Sequence, residues 1–549
     1  MIRFLLDDEE ITVADAPADL TVLDWLRVHR GRTGTKEGCG SGDCGACTVV
    51  MVSANEDNGL RYESLNACIA FLGSIHGKQL LTVESLARGD DLHPVQQAML
   101  DEHGSQCGFC TPGFVMSMFA LTESADAPVV TRAGPTPAVA SHSPRDEDAV
   151  AIGTHPGASR PLSSAGGWMY DLHTSDTKAL SHRIDRALGG NLCRCTGYRP
   201  IKRAAAVALA DRRPFLTPDK ATALSDRLRA LQSDSSPSDG YLRPQSLAEL
   251  ASLRLQYPDA PLVAGATDLA LEVTQQLRSL PRIIAVNEVP ELQIIEHEDT
   301  VLTVGAAASL SRLYDVCAHC LPEVAKLLLR YGSDPVRNVG TLGGNLGSAS
   351  PIGDWPPVLL ALGATLILQR GVDVREVHVD DYFLDYRKTA LDAGEFIRAV
   401  RIKLPPANAV FAVHKVSKRM DDDISTVCAA FLIQRDADGV VQHARIGYGG
   451  MAATPKRARH VEQMLQGTGF DKDAVERACT VIGDDFQPIG DARASAHYRL
   501  TVAANVLRRV WIEQSSGETR TQATDLESYY LDVSDRAIDA LAENGNLSA

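Results

Sequence analysis

Short alternating apolar segments open the chain and predict a small unit of strands. Apolar positions at 1–6 and 10–14 flank an acidic run at 7–10, which predicts a hairpin of two strands. Leu20, Leu23 and Leu26 follow helical spacing, and Gly31 comes soon after as a stop. The run 48–52 is rich in β-branched residues and predicts a third strand.

The next part of the chain changes to helical patterns. Pro94 suits the first position of a helix ending near Gly104, and Thr111 with Pro112 predicts an N-cap and first turn of a helix through residue 119. Two further helices are predicted over 181–188 and over the alanine-rich stretch 200–210. The pattern indicates a domain of four helices.

Two stretches carry no such periodicity. Residues 124–178 are rich in Pro, Ala, Ser and Gly, a composition that cannot bury a core and predicts a disordered surface insertion. Residues 216–240 end in a Ser- and Pro-rich run and read as a linker. Strands and helices alternate after residue 240, and the tail 516–549 contains one predicted helix near 535–543.

Composition narrows the class of protein. The 549 residues predict roughly three or four domains, and 44% hydrophobic with 23% charged residues is typical of a globular protein. A formal net charge of −16 argues against nucleic-acid binding. The N-terminus lacks the basic and apolar regions of a signal peptide, and the apolar stretch 358–368 is shorter than the ~20 residues that span a membrane. We therefore expect a cytoplasmic protein with no membrane partner.

Four of the twelve cysteines have the spacing C-x4-C-x2-C…C, the plant-type ferredoxin spacing for a [2Fe–2S] cluster. No histidine lies among them, so a Rieske centre is not indicated. With the strand and helix order above, the pattern suits a β-grasp ferredoxin fold. The predicted ligands are Cys39, Cys44, Cys47 and Cys68.

Glycines separate these cysteines and fit the same interpretation. A loop around a cluster brings backbone N–H groups close to sulfur and adopts positive φ, which Gly40, Gly42 and Gly45 permit. The alternatives are a zinc site or cysteines that are merely buried. Zinc motifs usually have paired C-x2-C or Cys/His sets, which the x4 spacing does not match.

Four more cysteines form a C-x2-C pair and a C-x-C pair in the helical part of the chain. Two tight pairs can hold a second cluster, although the 124–178 insertion separates them and a chance occurrence of both pairs is the alternative. The predicted ligands are Cys107, Cys110, Cys193 and Cys195.

Three motifs in order, C-G-x-G-x-C-G-A-C, Q-C-G-F-C-T-P-G and N-L-C-R-C-T-G-Y-R-P, resemble the N-terminal part of xanthine dehydrogenases and related molybdenum hydroxylases. The resemblance implies an α+β multidomain protein with a β-grasp [2Fe–2S] domain, a four-helix [2Fe–2S] domain, a two-part α+β FAD-binding domain and an α+β flavoprotein C-terminal domain. The implied ranges are 1–90, 91–215, 241–405 and 406–515.

Two segments after the linker suggest a flavin site. Residues 262–269 form an apolar strand running into a small-residue turn and a helix, which can bind phosphate, although Thr267 and Asp268 can equally cap the helix. The Gly- and Ser-rich segment 337–354 is predicted to be a loop and suits close approach to a pyrophosphate. No G-x-G-x-x-G follows a strand, so a Rossmann site is not supported.

The family resemblance extends to these segments and implies their role in binding FAD. The positive charge of Lys415 could offset the negative charge of a reduced flavin. The alternative is that Lys415 is an ordinary surface cation. The implied flavin-contacting residues are Leu262, Val263, Ala264, Gly265, Ala266, Thr267, Asp268, Leu269, Tyr331, Thr341, Asn345, Asp354, Ile397 and Lys415.

The remaining cysteines are given structural roles. Cys317 and Cys320 form a C-x2-C with no partner pair and read as incidental. Cys428 and Cys479 lie in apolar contexts and are predicted in the core.

The resemblance implies an electron-transfer function and no catalytic residue of substrate oxidation in this chain. Electrons would pass from a molybdopterin-binding large subunit through two [2Fe–2S] clusters to FAD and then NAD+, during oxidation of hypoxanthine and xanthine to urate. The partnership would be a heterodimer or a dimer of heterodimers. The alternatives are the small subunit of another molybdenum hydroxylase, acting on an aldehyde or N-heteroaromatic substrate, and a stand-alone NAD(P)H-dependent iron–sulfur flavoprotein reductase.

Overall fold

The structure is a computed structural model that describes residues 1–55, 59–124, 174–211, 213–232 and 240–515, with 174–179 described by their backbone. The predicted tail helix near 535–543 and residues 125–173 of the predicted insertion lie outside the described residues. Within the described part, no helix combines the length and the apolar character needed to cross a membrane.

The N-terminal strands form one mixed sheet. The predicted hairpin is confirmed, because the first two strands pair antiparallel, and the fifth strand lies parallel to the first. Phe4 packs edge-on against Trp25, with ring centroids 5.0 Å apart, so the helical turn covers the sheet. The order is β2-β1-β5-β3-β4. The strands are β1 Ile2–Leu6, β2 Glu9–Val13, β3 Thr48–Ala54, β4 Leu60–Asn66 and β5 Gln79–Leu81, and the turn is α1 Val22–Asp24 continued by a π-helix Trp25–His29.

All four helices predicted for the second part are present, each with one end at a different residue from the predicted one. They are α2 Pro94–Asp101, α3 Thr111–Glu123, α4 Thr174–Leu188 and α5 Arg199–Ala210. The N-cap of α3 is Cys110 rather than Thr111, and its side chain makes no capping bond. Helix α4 begins inside the stretch predicted as a disordered insertion, so that prediction was wrong for residues 174–178.

The predicted linker 216–240 is helical over most of its length. Helix α6 spans Pro218–Gln232, with Pro218 in its first turn. Helix α6 buries three leucines at helical spacing in the core that α2–α5 share with β3: Leu224, Leu228 and Leu231. This periodic apolar stripe gives the segment a reason to fold, and the Ser- and Pro-rich composition of 233–239 obscured it.

Two sheets build the third part of the chain. A parallel three-stranded sheet of β6 Tyr241–Leu242, β7 Leu262–Val263 and β8 Ile283–Ala285 is accompanied by α7 Leu247–Gln256 and α8 Ala270–Thr274. An antiparallel sheet of order β12-β11-β15-β10-β9 follows. Its strands are β9 Ile295–Glu298, β10 Val301–Gly305, β11 Thr365–Arg370, β12 Asp373–His378 and β15 Phe396–Lys403; β13 Phe383–Asp385 and β14 Lys388–Thr389 form a separate hairpin.

Helices cover the second of these sheets. They are α9 Leu310–Cys320, α10 Pro322–Leu329, α11 Asp334–Arg337, α12 Leu342–Ser348 and α13 Trp355–Leu362. Helix α12 corrects the prediction of a continuous loop over 337–354. Its Gly343 lies so close to β10 that an added Cβ would come within 2.5 Å of the Ala306 carbonyl oxygen. Close packing, which tolerates only glycine there, outweighs the poor helix propensity of this residue.

The last described part is a sheet of order β16-β17-β18-β19 packed against helices. The strands are β16 Ala409–Val416, β17 Val427–Arg435, β18 Val441–Gly449 and β19 Lys456–Arg457. The helices are α14 Arg459–Leu465, α15 Lys472–Thr480, α16 Ile482–Asp485 and α17 Ala496–Ser515. Short 3₁₀ turns occur at Leu72–Ile75, Val83–Ser85, Pro290–Leu292 and Val379–Asp381.

Candidate functional site

The first cysteine set meets at one end of the N-terminal sheet. Cys47 directly precedes β3, and one residue separates the end of β4 from Cys68. Thr48 pairs with Asn66 across the two strands, so the cysteines emerge together and their Sγ atoms lie 3.3 Å apart. The Cys39 thiol lies close enough to the thiols of Cys44 and Cys68 for both to shift its pKa. The structure thus brings all four predicted thiols of this set together.

The loop between these ligands has the conformation that its glycines predict. Gly40, Gly42 and Gly45 have φ angles of +65°, +83° and +64°. The N–H of Ser41 donates to Cys39 Sγ at 3.4 Å. The nearby Cys44 thiol lowers the pKa of the Cys39 thiol, and Cys39 in turn raises the pKa of Cys44. A thiolate is therefore favoured at Cys39, and thiolates are what bind iron.

The second cysteine set also meets, across the undescribed stretch 125–173. The Cys107 thiol lies close enough to Cys195 to shift its pKa, and the Cys110 thiol is close to Cys193 in the same way. The C-x2-C pair and the C-x-C pair therefore face each other. The turn before α5 donates its backbone N–H groups to Cys193 Sγ from Cys195 and Thr196, each at 3.4 Å. Cys107 and Cys195 are exposed, so this set lies at the protein surface.

Both thiol sets have features that fit a [2Fe–2S] cluster. In a [2Fe–2S] cluster each iron takes two protein ligands, and the four sulfur atoms spread around both irons. The N–H donors on Cys39 and Cys193 further fit the sulfur hydrogen bonding of such clusters.

The two cysteine sets are in contact through Asn191 and Leu192, which were not predicted from the sequence as site residues. Asn191 is buried; its side-chain amide donates to the Gly45 carbonyl at 3.0 Å and its oxygen accepts from the Ser117 hydroxyl at 2.7 Å. The N–H of Leu192 donates to the Cys44 carbonyl at 3.0 Å. Asn191 stands two residues before Cys193, and this proximity was the available signal.

The two predicted flavin segments touch each other. A Cβ added at Gly265 would lie 2.0 Å from the Val339 carbonyl oxygen, so the turn after β7 packs directly on the segment before α12. Ala266 has a φ of +60°, an uncommon value for a residue with a side chain. The N-cap of α8 is Leu269, with no capping bond, so the alternative in which Thr267 or Asp268 caps this helix was wrong.

Thr341 is the N-cap of α12, Asn345 lies within this helix, and Tyr331 contacts it through Asn345. The Thr341 hydroxyl caps this helix by accepting from the Gly344 N–H at 3.0 Å. Asn345 donates from its side-chain amide to the Tyr331 hydroxyl at 2.9 Å. The Asn345 side-chain oxygen is buried and has no hydrogen-bond partner within the described part of the chain. A buried orphan acceptor normally has a partner, and an N–H or O–H group of a bound flavin nucleotide would supply one.

Lys415 is not a surface cation, which corrects that alternative. It lies in β16 with its side chain 3% exposed, and its ammonium donates to the Asp354 carboxylate at 2.8 Å and to the Arg330 carbonyl at 2.9 Å. The other Asp354 oxygen accepts from the Ser425 hydroxyl. Asp354 and Lys415 therefore form a buried ion pair. The predicted role of the Lys415 charge in offsetting a reduced flavin stays a prediction.

Ile397 lies in the core beneath this site. It is on β15, opposite Leu368, and belongs to the same apolar cluster as Leu342 and Leu346 of α12. Tyr331 packs against that cluster. The predicted flavin residues of the second segment therefore gather around α12, whereas Asp354 and Lys415 pair at the junction with the C-terminal sheet.

The four remaining cysteines have the surroundings of structural residues. Cys317 is buried in α9 and Cys320 is partly buried at the end of the same helix, and burial raises the pKa of both thiols. Cys428 is buried in β17, where burial raises its pKa well above the usual value, and Cys479 is partly buried in α15. Their positions within helices and strands fit structural roles.

Four segments of the chain match described protein families. Residues 4–73 match the “2Fe-2S iron-sulfur cluster binding domain” and residues 82–148 the “[2Fe-2S] binding domain”. Residues 234–405 match the “FAD binding domain in molybdopterin dehydrogenase”, and residues 412–514 the “CO dehydrogenase flavoprotein C-terminal domain”. These matches confirm the predicted [2Fe–2S], FAD-binding and flavoprotein C-terminal domains.

Several individual proteins are similar to this chain. The chain is 28% identical to “Xanthine dehydrogenase” of Emericella nidulans, over 100% of this chain and 41% of that protein. It is 30% identical to “Xanthine dehydrogenase 2” of Arabidopsis thaliana, over 86% of this chain and 36% of that protein. The chain thus spans about two fifths of the length of these relatives. The solved structure “Reconstituted CO dehydrogenase from Oligotropha carboxidovorans” is 30% identical, with a TM-score of 0.47, over 50% of this chain and 96% of its own.

Proposed function

We propose that this chain, which carries the iron–sulfur and flavin domains of the molybdenum hydroxylase family, is the electron-transfer subunit of a xanthine dehydrogenase. Electrons would enter from a molybdopterin-binding partner and leave to NAD+ as xanthine or hypoxanthine is oxidised. The names of the relatives support xanthine as the substrate. A cytoplasmic heterodimer, or a dimer of heterodimers, is part of the proposal.

The observation that carries the proposal is the order of contacts between the sites. The loop of the first cysteine set contacts the second set through Asn191. It also contacts Gln275 at the end of α8. Helix α8 and the turn 262–269 before it are called the flavin side of the molecule. A relay needs its centres in such a succession. Clusters pass single electrons, whereas a flavin accepts electrons singly and can release a pair as hydride.

The chain's own residues would hold these groups in distinct ways. We assign one cluster to Cys39, Cys44, Cys47 and Cys68 in the β-grasp domain, and one to Cys107, Cys110, Cys193 and Cys195 in the helical domain. The turn 262–269 would bind the phosphates of FAD with backbone N–H groups, and Asn345 would accept from the nucleotide. Lys415 and Asp354 would fix the wall of the flavin site.

The surface around the second set supports a partner at that end. Cys107 and Cys195 are exposed, and three large apolar side chains beside the ligands are exposed as well: Phe109 at 48%, Leu192 at 42% and Tyr198 at 38%. Apolar and aromatic side chains of this kind are favoured in protein interfaces. A molybdopterin-binding subunit docked here would shield the cluster from water and feed it electrons.

Co-expression with a candidate molybdopterin-binding subunit tests the proposal. We expect a stable complex that forms urate from xanthine and reduces NAD+. The Cys195→Ala variant should lose this activity, and the Cys317→Ala variant should keep it because Cys317 lies in the core of α9. A chain that turns over NADH with an artificial acceptor at the same rate with and without the partner, and never forms urate, would support the stand-alone reductase and overturn the proposal.

A further inference from the structure

A glutamine from the flavin side of the molecule reaches the loop of the first cysteine set. Gln275 directly follows α8, the helix that begins after the turn 262–269. Its side-chain amide donates to the carbonyl oxygens of Cys39 at 3.1 Å and Gly40 at 3.0 Å. Its own backbone N–H is bound to the Leu271 carbonyl at 2.9 Å, which fixes the base of the side chain.

The Gly40 carbonyl connects this contact to a ligand sulfur. That carbonyl and the Ser41 N–H belong to one peptide group, and the Ser41 N–H donates to Cys39 Sγ at 3.4 Å. Gln275, the 40–41 peptide and Cys39 thus form a chain of two hydrogen bonds. A bond accepted by a peptide carbonyl polarises the group and strengthens the bond that its N–H donates.

The loop leaves room for this approach because residue 40 is a glycine. Its φ is +65°, and an added Cβ would lie 3.1 Å from the Gln275 amide nitrogen. A larger residue would therefore be strained and would crowd the amide. The glycine at residue 40 and the side chain of Gln275 both contribute to this contact, although Gln275 itself is exposed.

We propose that Gln275 is a positioning residue that raises the reduction potential of the cluster held by the Cys39 set. Hydrogen bonds to ligand sulfur stabilise the more negative, reduced cluster and so raise its potential. The flavin side of the molecule would then set the potential of the cluster that it contacts. This inference rests on the proposed function, since it requires a cluster at Cys39.

The variant Gln275→Leu removes the donor at similar size, and Gln276→Leu is the matched control. Gln276 is the neighbouring exposed glutamine, and its side chain has no hydrogen bond among the described residues. A third variant, Gln275→Glu, keeps the length but points a carboxylate at two carbonyl oxygens. All three are made in the full chain, reconstituted with iron, sulfide and FAD.

Redox titration followed by electron paramagnetic resonance gives the readout, with the two cluster signals assigned by comparison with Cys195→Ala. We expect Gln275→Leu to shift the reduced-to-oxidised ratio of the Cys39 cluster about threefold toward oxidised. This equals about 28 mV downward at 59 mV per decade for one electron. Gln275→Glu should shift it further, and the second cluster should not move.

Two kinds of failure are distinguishable. Unchanged Cys39 cluster potentials in both Gln275 variants, with both clusters and FAD bound, would overturn this inference alone. An equal shift in Gln276→Leu, or in both clusters, would also overturn it, because it would show a general effect of substitution. A wild-type chain with no cluster at the Cys39 set would overturn the proposed function and this inference with it.

Discussion

The Lys415 ammonium lies 2.8 Å from the Asp354 carboxylate, and both side chains are buried. Asp354 stands at the start of α13 and Lys415 on β16, so the pair joins the flavin-binding part of the chain to its C-terminal sheet. A buried pair of this kind is sensitive to loss of one partner, because the remaining charge is left without compensation.

We expect Lys415→Met to lower the free energy of unfolding by about 3–5 kcal/mol and to reduce flavin content. The exposed pair of Lys326 with Glu323 is the control, since Lys326→Met should change stability by about 0–1 kcal/mol. Urea unfolding and flavin absorbance measure both. Equal effects in the two variants would contradict the role of burial. The double variant Asp354→Leu with Lys415→Met should be more stable than Lys415→Met alone.

The packing of Gly113 on the first cysteine loop predicts a second outcome. A Cβ at residue 113 would lie 2.0 Å from the Gly45 carbonyl oxygen, so Gly113→Ala must separate α3 from that loop. We expect a loss of about 1–3 kcal/mol in the free energy of unfolding and a lower iron content. Gly483→Ala, where an added Cβ meets nothing within 4 Å, should retain both. Full iron content and stability in Gly113→Ala would refute the close contact.

Asn191 should matter more for the contact between the cysteine sets than for either set alone. Asn191→Leu leaves the buried Ser117 hydroxyl and the Gly45 carbonyl without this partner, which predicts a loss of about 1–3 kcal/mol. We expect a weaker magnetic interaction between the reduced clusters in paramagnetic resonance spectra. A spectrum unchanged from wild type would show that Asn191 does not set their separation.

Asp422 predicts a pH dependence of stability. Burial, and then the neighbouring Asp43 carboxylate, raise the pKa of Asp422 to about 7. Since the folded state holds this proton more tightly than the unfolded state, the group's contribution is full below about pH 4 and is lost as pH rises to about 7. Asp422→Asn removes this loss and suits the φ of +45° at this position.

We therefore expect Asp422→Asn to exceed wild type in unfolding free energy by on the order of 2 kcal/mol at pH 8, with a smaller difference at pH 5. Chemical denaturation at both values measures this. Asp8→Asn, in the exposed turn between β1 and β2, serves as the control. A difference for Asp422→Asn that does not depend on pH would attribute the gain to backbone conformation instead of charge.

Local patterns in the sequence predicted the parts of the molecule that depend on local spacing. The two sets of four cysteines and the positive φ of Gly40 were predicted from residues a few positions apart. Asn191 and Gln275 were missed because their partners lie far away in the chain, and a lone Asn or Gln gives no periodic signal.

Two elements were missed for different reasons. The spacing of Leu224, Leu228 and Leu231 is that of helix α6. The Ser- and Pro-rich residues that follow led instead to the prediction of a linker. Helix α12 could not be predicted from the sequence, because its glycines disfavour a helix. The close approach of Gly343 to Ala306, which requires a glycine there, appears only in the structure. The burial of Lys415 was likewise set by a tertiary partner, Asp354.

Iron and flavin content of the reconstituted full chain tests the central claim most directly. With two binuclear clusters we expect about four irons per chain and one FAD, and two distinct paramagnetic signals after reduction. The Cys47→Ala variant should remove one signal and the Cys110→Ala variant the other. A wild-type chain with about two irons or fewer, or one that binds no flavin, would contradict the account.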